Sequence, residues 1–257
     1  MMVEDIWIPY TTIVRKEVTR IMRIWSQTLL PPVITQTLYF VIFGKFIGAQ
    51  IQSVKGLSYM SFIVPGLVMM SIINSSFANV VSSFFGAKFQ RNIEELIVSP
   101  TPPWVMLAGY VTGGLIRGLS VGALVFCVSV FFTRPHIEHP ALVFFFMILT
   151  SILFSLGGVI NAIFAKKFDD ISFFPNFILT PLTYLGGVFY SLSNLPAAGQ
   201  HFSSLNPIVY MIDGFRFGFY GVGDIPVFIS IIILTILIFV FSILAIYLLN
   251  RGVGIKA

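Results

Sequence analysis

Charge is scarce in this chain. Only 10% of its 257 residues are Asp, Glu, Lys or Arg, against ~25% in an average soluble domain. Cysteine is scarcer still: Cys127 stands alone in an apolar stretch, which excludes disulfides within the chain and multi-cysteine metal sites and leaves a small core residue. Neither H-E-x-x-H nor G-x-x-x-x-G-K-[ST] occurs, so the chain has no zincin helix and no phosphate-binding loop of its own. No low-complexity tract and no internal repeat stands out. Residues 1 to 24 carry charges throughout and offer neither a short apolar core nor a small-residue cleavage site, so a cleaved signal peptide is not expected.

What is present is oil. Hydrophobic residues make up 57% of the chain, and a crossing of the ~30 Å hydrocarbon layer takes ~20 of them in a helix. Apolar stretches fall at 28–48, 59–80, 104–132, 141–165, 171–190 and 226–249. The expectation is an all-α polytopic membrane protein of six transmembrane helices in one domain, 1–257. With the amino terminus inside, ten cations lie inside: Arg15, Lys16, Arg20, Arg23, Lys88, Arg91, Lys166, Lys167, Arg251 and Lys256. Four lie outside, Lys45, Lys55, Arg134 and Arg216, and that excess places both termini in the cytoplasm. The net charge of +5 is therefore a topology signal, and nucleic acid is not an expected partner.

Three segments lie between or before the spans. Residues 1–25 form an amphipathic helix in the membrane surface: Val14, Val18, Ile21, Met22 and Trp25 share one face, Lys16, Arg20 and Arg23 another. Residues 86–99 form a short amphipathic helix on the cytoplasmic side. In it Phe89, Ile93, Leu96 and Ile97 share a face, Arg91, Glu94 and Glu95 point elsewhere, and Pro100, Pro102 and Pro103 end it. Residues 191–225, rich in aromatics, Gly and Pro, form an external cap of short re-entrant helices.

The third stretch carries Gly114, Gly118 and Gly122 at four-residue spacing, a ridge that lets helix backbones approach closely, within the chain or between two copies. Its Gly118-x-Ser120-x-Gly122 also spells a nucleophile elbow, but in a continuous apolar helix, with His136, His139 and His201 all in outside loops. Arg117 lies in the same stretch. It either snorkels to the inner interface or lines an internal path for an anionic head group. None of the six stretches holds an Asp or Glu, so the chain offers no membrane carboxylate to carry a coupling ion. A pump of this kind draws its energy from another polypeptide.

R-N-I-E-E-L-x-x-S-P at 91–100, G-G-V-F-Y-S-L-x-x-L-P at 186–196 and L-N-P-x-x-Y at 205–210 complete a pattern that resembles the type 2 permeases of ATP-binding-cassette exporters, small bacterial inner-membrane proteins, over essentially the whole chain. The resemblance implies an outward permease for an amphiphilic, lipid-like, glycan-like or drug-like substrate. It implies a homodimer in the lipid bilayer joined to separate ATPase subunits, with ATP and Mg bound there and no cofactor in this chain. It also implies that 86–99 is the coupling helix, presenting Arg91, Glu94 and Glu95 to the ATPase. Rival readings are a lipid-modifying membrane enzyme using His201, Asp213 and Arg216 at the outer face, or a secondary transporter.

Overall fold

The computed structural model describes residues 4–48, 50–51 and 53–254; Lys256, counted above among the inside cations, lies outside them. Among the described residues the chain is almost wholly helical. The elements are α1 (Glu4–Arg23), α2 (Trp25–Thr28), α3 (Leu30–Tyr39), a π-helix (Phe40–Ile47), α4 (Tyr59–Phe89), α5 (Asn92–Val98), α6 (Pro103–Ser129) and α7 (Pro140–Phe164). There follow α8 (Phe168–Phe174), a π-helical turn (Pro175–Leu179), α9 (Thr180–Tyr184), α10 (Ala197–Ser204), α11 (Pro207–Tyr220) and α12 (Val227–Arg251). Five helices among the described residues are long and apolar enough to cross a membrane: Trp25–Ile47, Tyr59–Phe89, Pro103–Ser129, Pro140–Phe164 and Val227–Arg251.

The stretch at 171–190 does not form such a helix. Pro175 and Pro181 lack an N–H, and around them the chain runs as short pieces of seven, five and five residues before turning at Gly187, whose φ is +79°. Pro175 leaves the Ile171 carbonyl without its helical donor, and Asn161 Nδ2 supplies one at 3.4 Å. Residues 192–194 form a 3-10 turn, and α10 and α11 complete the segment expected to cap the outside.

The central post is α4. In its most apolar window 83% of residues are buried, against 11% for α12: α4 is walled by α6, α7 and α11, while α12 lays one face on α7 and α11 and leaves the rest open. Ser58 starts α4 by accepting the Ser61 N–H at 3.2 Å. The first half of α4 packs Phe62, Ile63, Leu67 and Met69 with Phe146, Met211 and Phe215. The second half packs Val80, Phe84 and Phe85 with Tyr110, Leu156 and Val159. Lipid tails are as apolar as these side chains, so close packing rather than escape from water holds such helices together.

Two expected boundaries move. The 59–80 stretch continues nine residues further as helix to Phe89, so the segment drawn as one helix over 86–99 is instead the end of α4, a turn, and α5. The turn is made by Arg91, whose backbone is left-handed at φ +62°, a conformation uncommon outside glycine. Among the described side chains of α1, Ile13, Glu17 and Ile21 are buried, while Trp7, Ile8 and Met22, with Trp25 just beyond, are more than half exposed.

Candidate functional site

Helix α6 crosses between α4 and α7, and its glycines set the spacing. Gly114, Gly118 and Gly122 are all buried. A Cβ on Gly122 would lie 2.7 Å from Ile72 Cγ1, and one on Gly114 would lie 2.7 Å from Val80 Cγ2. A Cβ on Gly118 would collide with Ser76 Oγ and come within 2.8 Å of Ser151 Oγ. The ridge is therefore filled by α4 and α7 of the same chain. Ser120, the serine of the elbow-like pattern, donates to the Ile116 carbonyl of its own helix at 2.7 Å.

Against the other side of α6 lies a group that reading the sequence missed. Glu17 of α1 is fully buried. Its Oε2 takes Arg20 Nη2 at 2.9 Å and Asn79 Nδ2 at 3.1 Å, and its Oε1 takes the Ser83 hydroxyl. Arg20 Nη2 also donates to the Asn79 backbone carbonyl at 3.0 Å and side-chain oxygen at 2.9 Å. Gly113 makes room, since a Cβ there would lie 2.7 Å from Glu17 Cβ. A buried carboxylate is tolerable only with such complete pairing. Tyr10 adds a hydroxyl pairing with Thr112 at 3.0 Å, so α1 is clasped to α4 and α6 by polar as well as apolar contacts.

Arg117 emerges from α6 next to the start of the first long helix. Its Nη2 donates to the Thr28 carbonyl at 3.3 Å, the oxygen that Pro32, four residues on and without an N–H, leaves open. Beside it lies a cleft of about 340 Å³ between α2–α3 and α4, lined by polar Gln27, Thr35, Gln36, Asn74 and Ser75 as well as apolar Pro31 and Met70.

At the far end of α4, Ile93 of α5 is 1% exposed whereas Arg91, Glu94 and Glu95 face outward. The described side chains thus divide α5 into a seated apolar position and free charges. Phe89 does not join Ile93; it is 60% exposed and meets the Phe168 ring edge-on at 4.9 Å. Nearby, Asp170 accepts the backbone amides of Lys166 and Lys167 at 2.7 and 3.0 Å, which holds its carboxyl below the usual range, helped by the two lysine charges.

The opposite end of the molecule is tied by buried charges. Asp213 accepts the Asp224 and Ile225 amides at 2.8–2.9 Å, and Arg216 donates to the Gly187 carbonyl at 2.6 Å while its guanidinium lies 4.0 Å over the Phe62 ring. Both side chains are 3% exposed and stand 3.9 Å apart. Burial pushes the Asp213 carboxyl up and the Arg216 guanidinium down to about 10, each opposing the other's shift by its charge. Asp224 in turn pairs with Lys55 and accepts the Ser191 hydroxyl at 2.7 Å. Asn206 of the L-N-P sequence caps α11 by accepting the Ile208 amide at 3.0 Å and reaches back to the Leu182 carbonyl at 2.7 Å. These groups bond to backbone and to each other, and His201 stays exposed on α10. The signatures at 186–196 and 205–210 are thus part of a structural clasp, in which Asp213 and Arg216 are both buried and bonded to backbone.

Comparison with known proteins agrees with this architecture. The family model described as ABC-2 type transporter matches residues 9–220. The chain is 55% identical over 98% of both lengths to the inner membrane transport permease YadH of Escherichia coli strain K12. It is 24% identical to nodulation protein J of Rhizobium meliloti strain 1021 over 70% of this chain and 69% of that protein.

Proposed function

Because this chain belongs to the ABC-2 type transporter family, we propose that it is the membrane-spanning permease subunit of an ATP-binding-cassette exporter in the bacterial inner membrane. Two copies stand in the bilayer with two copies of a separate ATPase, which holds ATP and Mg and supplies the energy for moving an amphiphile outward. Residues 171–190 make the sixth crossing and α10 and α11 re-enter from outside, so that both termini are cytoplasmic. The observation that carries the reading is α5: a short helix with Ile93 seated against the membrane domain and Arg91, Glu94 and Glu95 left free. A lever needs one face locked to what it moves and another available to what moves it.

The test is purification of the tagged chain in mild detergent, identification of a co-purifying soluble ATPase, and reconstitution of the pair. ATP hydrolysis that depends on both subunits supports the proposal. A chain that comes alone, with cellular export that follows an ion gradient and not ATP, overturns it.

A further inference from the structure

The cleft beside Arg117 is chemically one-sided. Its lining carries one cation, several hydrogen-bonding side chains and no carboxylate. Arg117 makes no ion pair among the described residues; its one hydrogen bond is the 3.3 Å contact to Thr28, and its Nε is buried without a partner. An unpaired guanidinium within an apolar span is costly, and an anion is the partner that removes the cost. One further group in the lining points the same way: the Ser75 hydroxyl, in a residue 3% exposed, has no partner and can donate. Buried polar atoms are ordinarily paired, so an orphan donor beside an orphan guanidinium marks a place prepared for an anionic guest.

Helix α3 also carries exposed apolar side chains. Ile34 and Leu38, on the same α3 that contributes Thr35 and Gln36, are 58% and 55% exposed, so a guest whose head sits by Arg117 can lay a hydrocarbon tail along that helix. We propose that this cleft binds the anionic head group, phosphate or carboxylate, of an amphiphile, and that anionic amphiphiles are the substrate class of the permease. The proposal rests on the permease reading above. Arg117 supplies the charge and the Ser75 hydroxyl supplies a hydrogen bond.

The experiment is native mass spectrometry of the purified full chain in neutral detergent, titrated with dihexanoylphosphatidic acid, with dihexanoylphosphatidylcholine and with inorganic phosphate. A charge-assisted contact gives about a tenfold preference for phosphatidic acid over the choline ester. Arg117→Gln removes that preference, Arg117→Lys retains most of it, and Ser75→Ala weakens it. Gel filtration of each variant shows that the fold is kept, and the lysine variant reports on charge alone if the glutamine variant fails to assemble. Equal binding of the two lipids, or an undiminished preference in Arg117→Gln, overturns the site. Inorganic phosphate binding as tightly as phosphatidic acid overturns the amphiphile and leaves a free anion. Recovery of the ATPase is scored separately. Its loss with the lipid preference intact strikes the permease reading, and its retention without the preference strikes only the cleft.

Discussion

Lys88 Nζ donates to the carbonyl oxygen of Ala165 at 2.6 Å and to that of Ile163 at 2.7 Å. The last carbonyls of α7 have no donor within their own helix, and a cation there also meets the negative end of the helix dipole. Lys88 therefore ties the end of α4, three residues before the left-handed turn at Arg91, to the end of α7.

Removing this tie has a measurable cost. Lys88→Met leaves the carbonyls unpaired, and a lost charge-assisted bond costs about 1.5–3 kcal/mol. The melting temperature in detergent should fall clearly for Lys88→Met and little for Lys88→Arg. Equal melting of wild type and Lys88→Met would show that water or another donor replaces the amine.

Glu17 should be more sensitive. It is 0% exposed and receives Arg20, Asn79 and Ser83 together. Removing one partner of a buried pair costs about 3–5 kcal/mol; Arg20 is 27% exposed and recovers some hydration, so Glu17→Ala belongs at the lower end. Glu17→Gln keeps the volume and should cost less. Protease cleavage within α1 is the readout, since α1 should detach from α4 and α6 before the spans unfold. If Glu17→Ala leaves α1 as protected as in wild type, apolar packing alone holds it.

The α6 seam predicts a sharp contrast between neighbours. Gly118→Leu drives a side chain into Ser76 and Ser151 and should prevent recovery of a monodisperse protein, whereas Leu119→Ala, at a half-buried position, should be mild. Comparable yields and melting for both would show that the helices separate at little cost.

Acid should loosen the clasp around Asp213 and Arg216 through Asp224. Burial favours its neutral form, but Lys55, the Ser191 hydroxyl and the Leu192 amide outweigh this and hold its carboxyl below the usual range. A depressed carboxyl contributes stability that is present above its unfolded value and lost as pH falls through the folded value. Asp213, raised mainly by burial, works in the opposite sense, because protonation relieves it. Hydrogen exchange of 186–196 should thus accelerate below the ordinary carboxylate range in wild type. Asp224→Asn should exchange fast at neutral pH and show little further acid step; an unchanged acid step in that variant would assign it to another group.

The glycine register was legible because four-residue spacing has one geometric meaning in a helix, and Gly114, Gly118 and Gly122 do share a buried face. The seated position of Ile93 was legible from the same periodicity. Glu17 was not, because sorting a helix into apolar and charged faces assigns every carboxylate to water. Its only signals were the i, i+3 spacing to Arg20 and the i, i+4 spacing of Asn79 and Ser83, more than sixty residues away. The break between α4 and α5 was equally hidden, since nothing in a Gln-Arg pair announces a left-handed arginine. Asp213 and Arg216 drew attention as charges in an outer segment, but their work is to satisfy backbone groups of a loop, which residue type alone does not reveal.

The last prediction concerns α5. If this helix carries force from an ATPase, its two kinds of side chain should fail in different ways. Glu94 and Glu95 are exposed and lie in the first turn, where negative charge also suits the helix dipole, an effect of about 0.3–1 kcal/mol. Reversing both to lysine should therefore lower the melting temperature of the isolated chain only slightly. The main damage should appear in the pair: weaker recovery of the ATPase, or hydrolysis that no longer responds to substrate. Ile93→Asp is the counterpart, because Ile93 is 1% exposed and an unpaired carboxylate there is strongly disfavoured. It should destabilise the membrane chain itself, with or without the ATPase. Measuring melting on the permease alone and hydrolysis on the reconstituted pair separates the two failures. Wild-type partner recovery and wild-type export in the double charge reversal would make α5 a surface helix with no part in coupling.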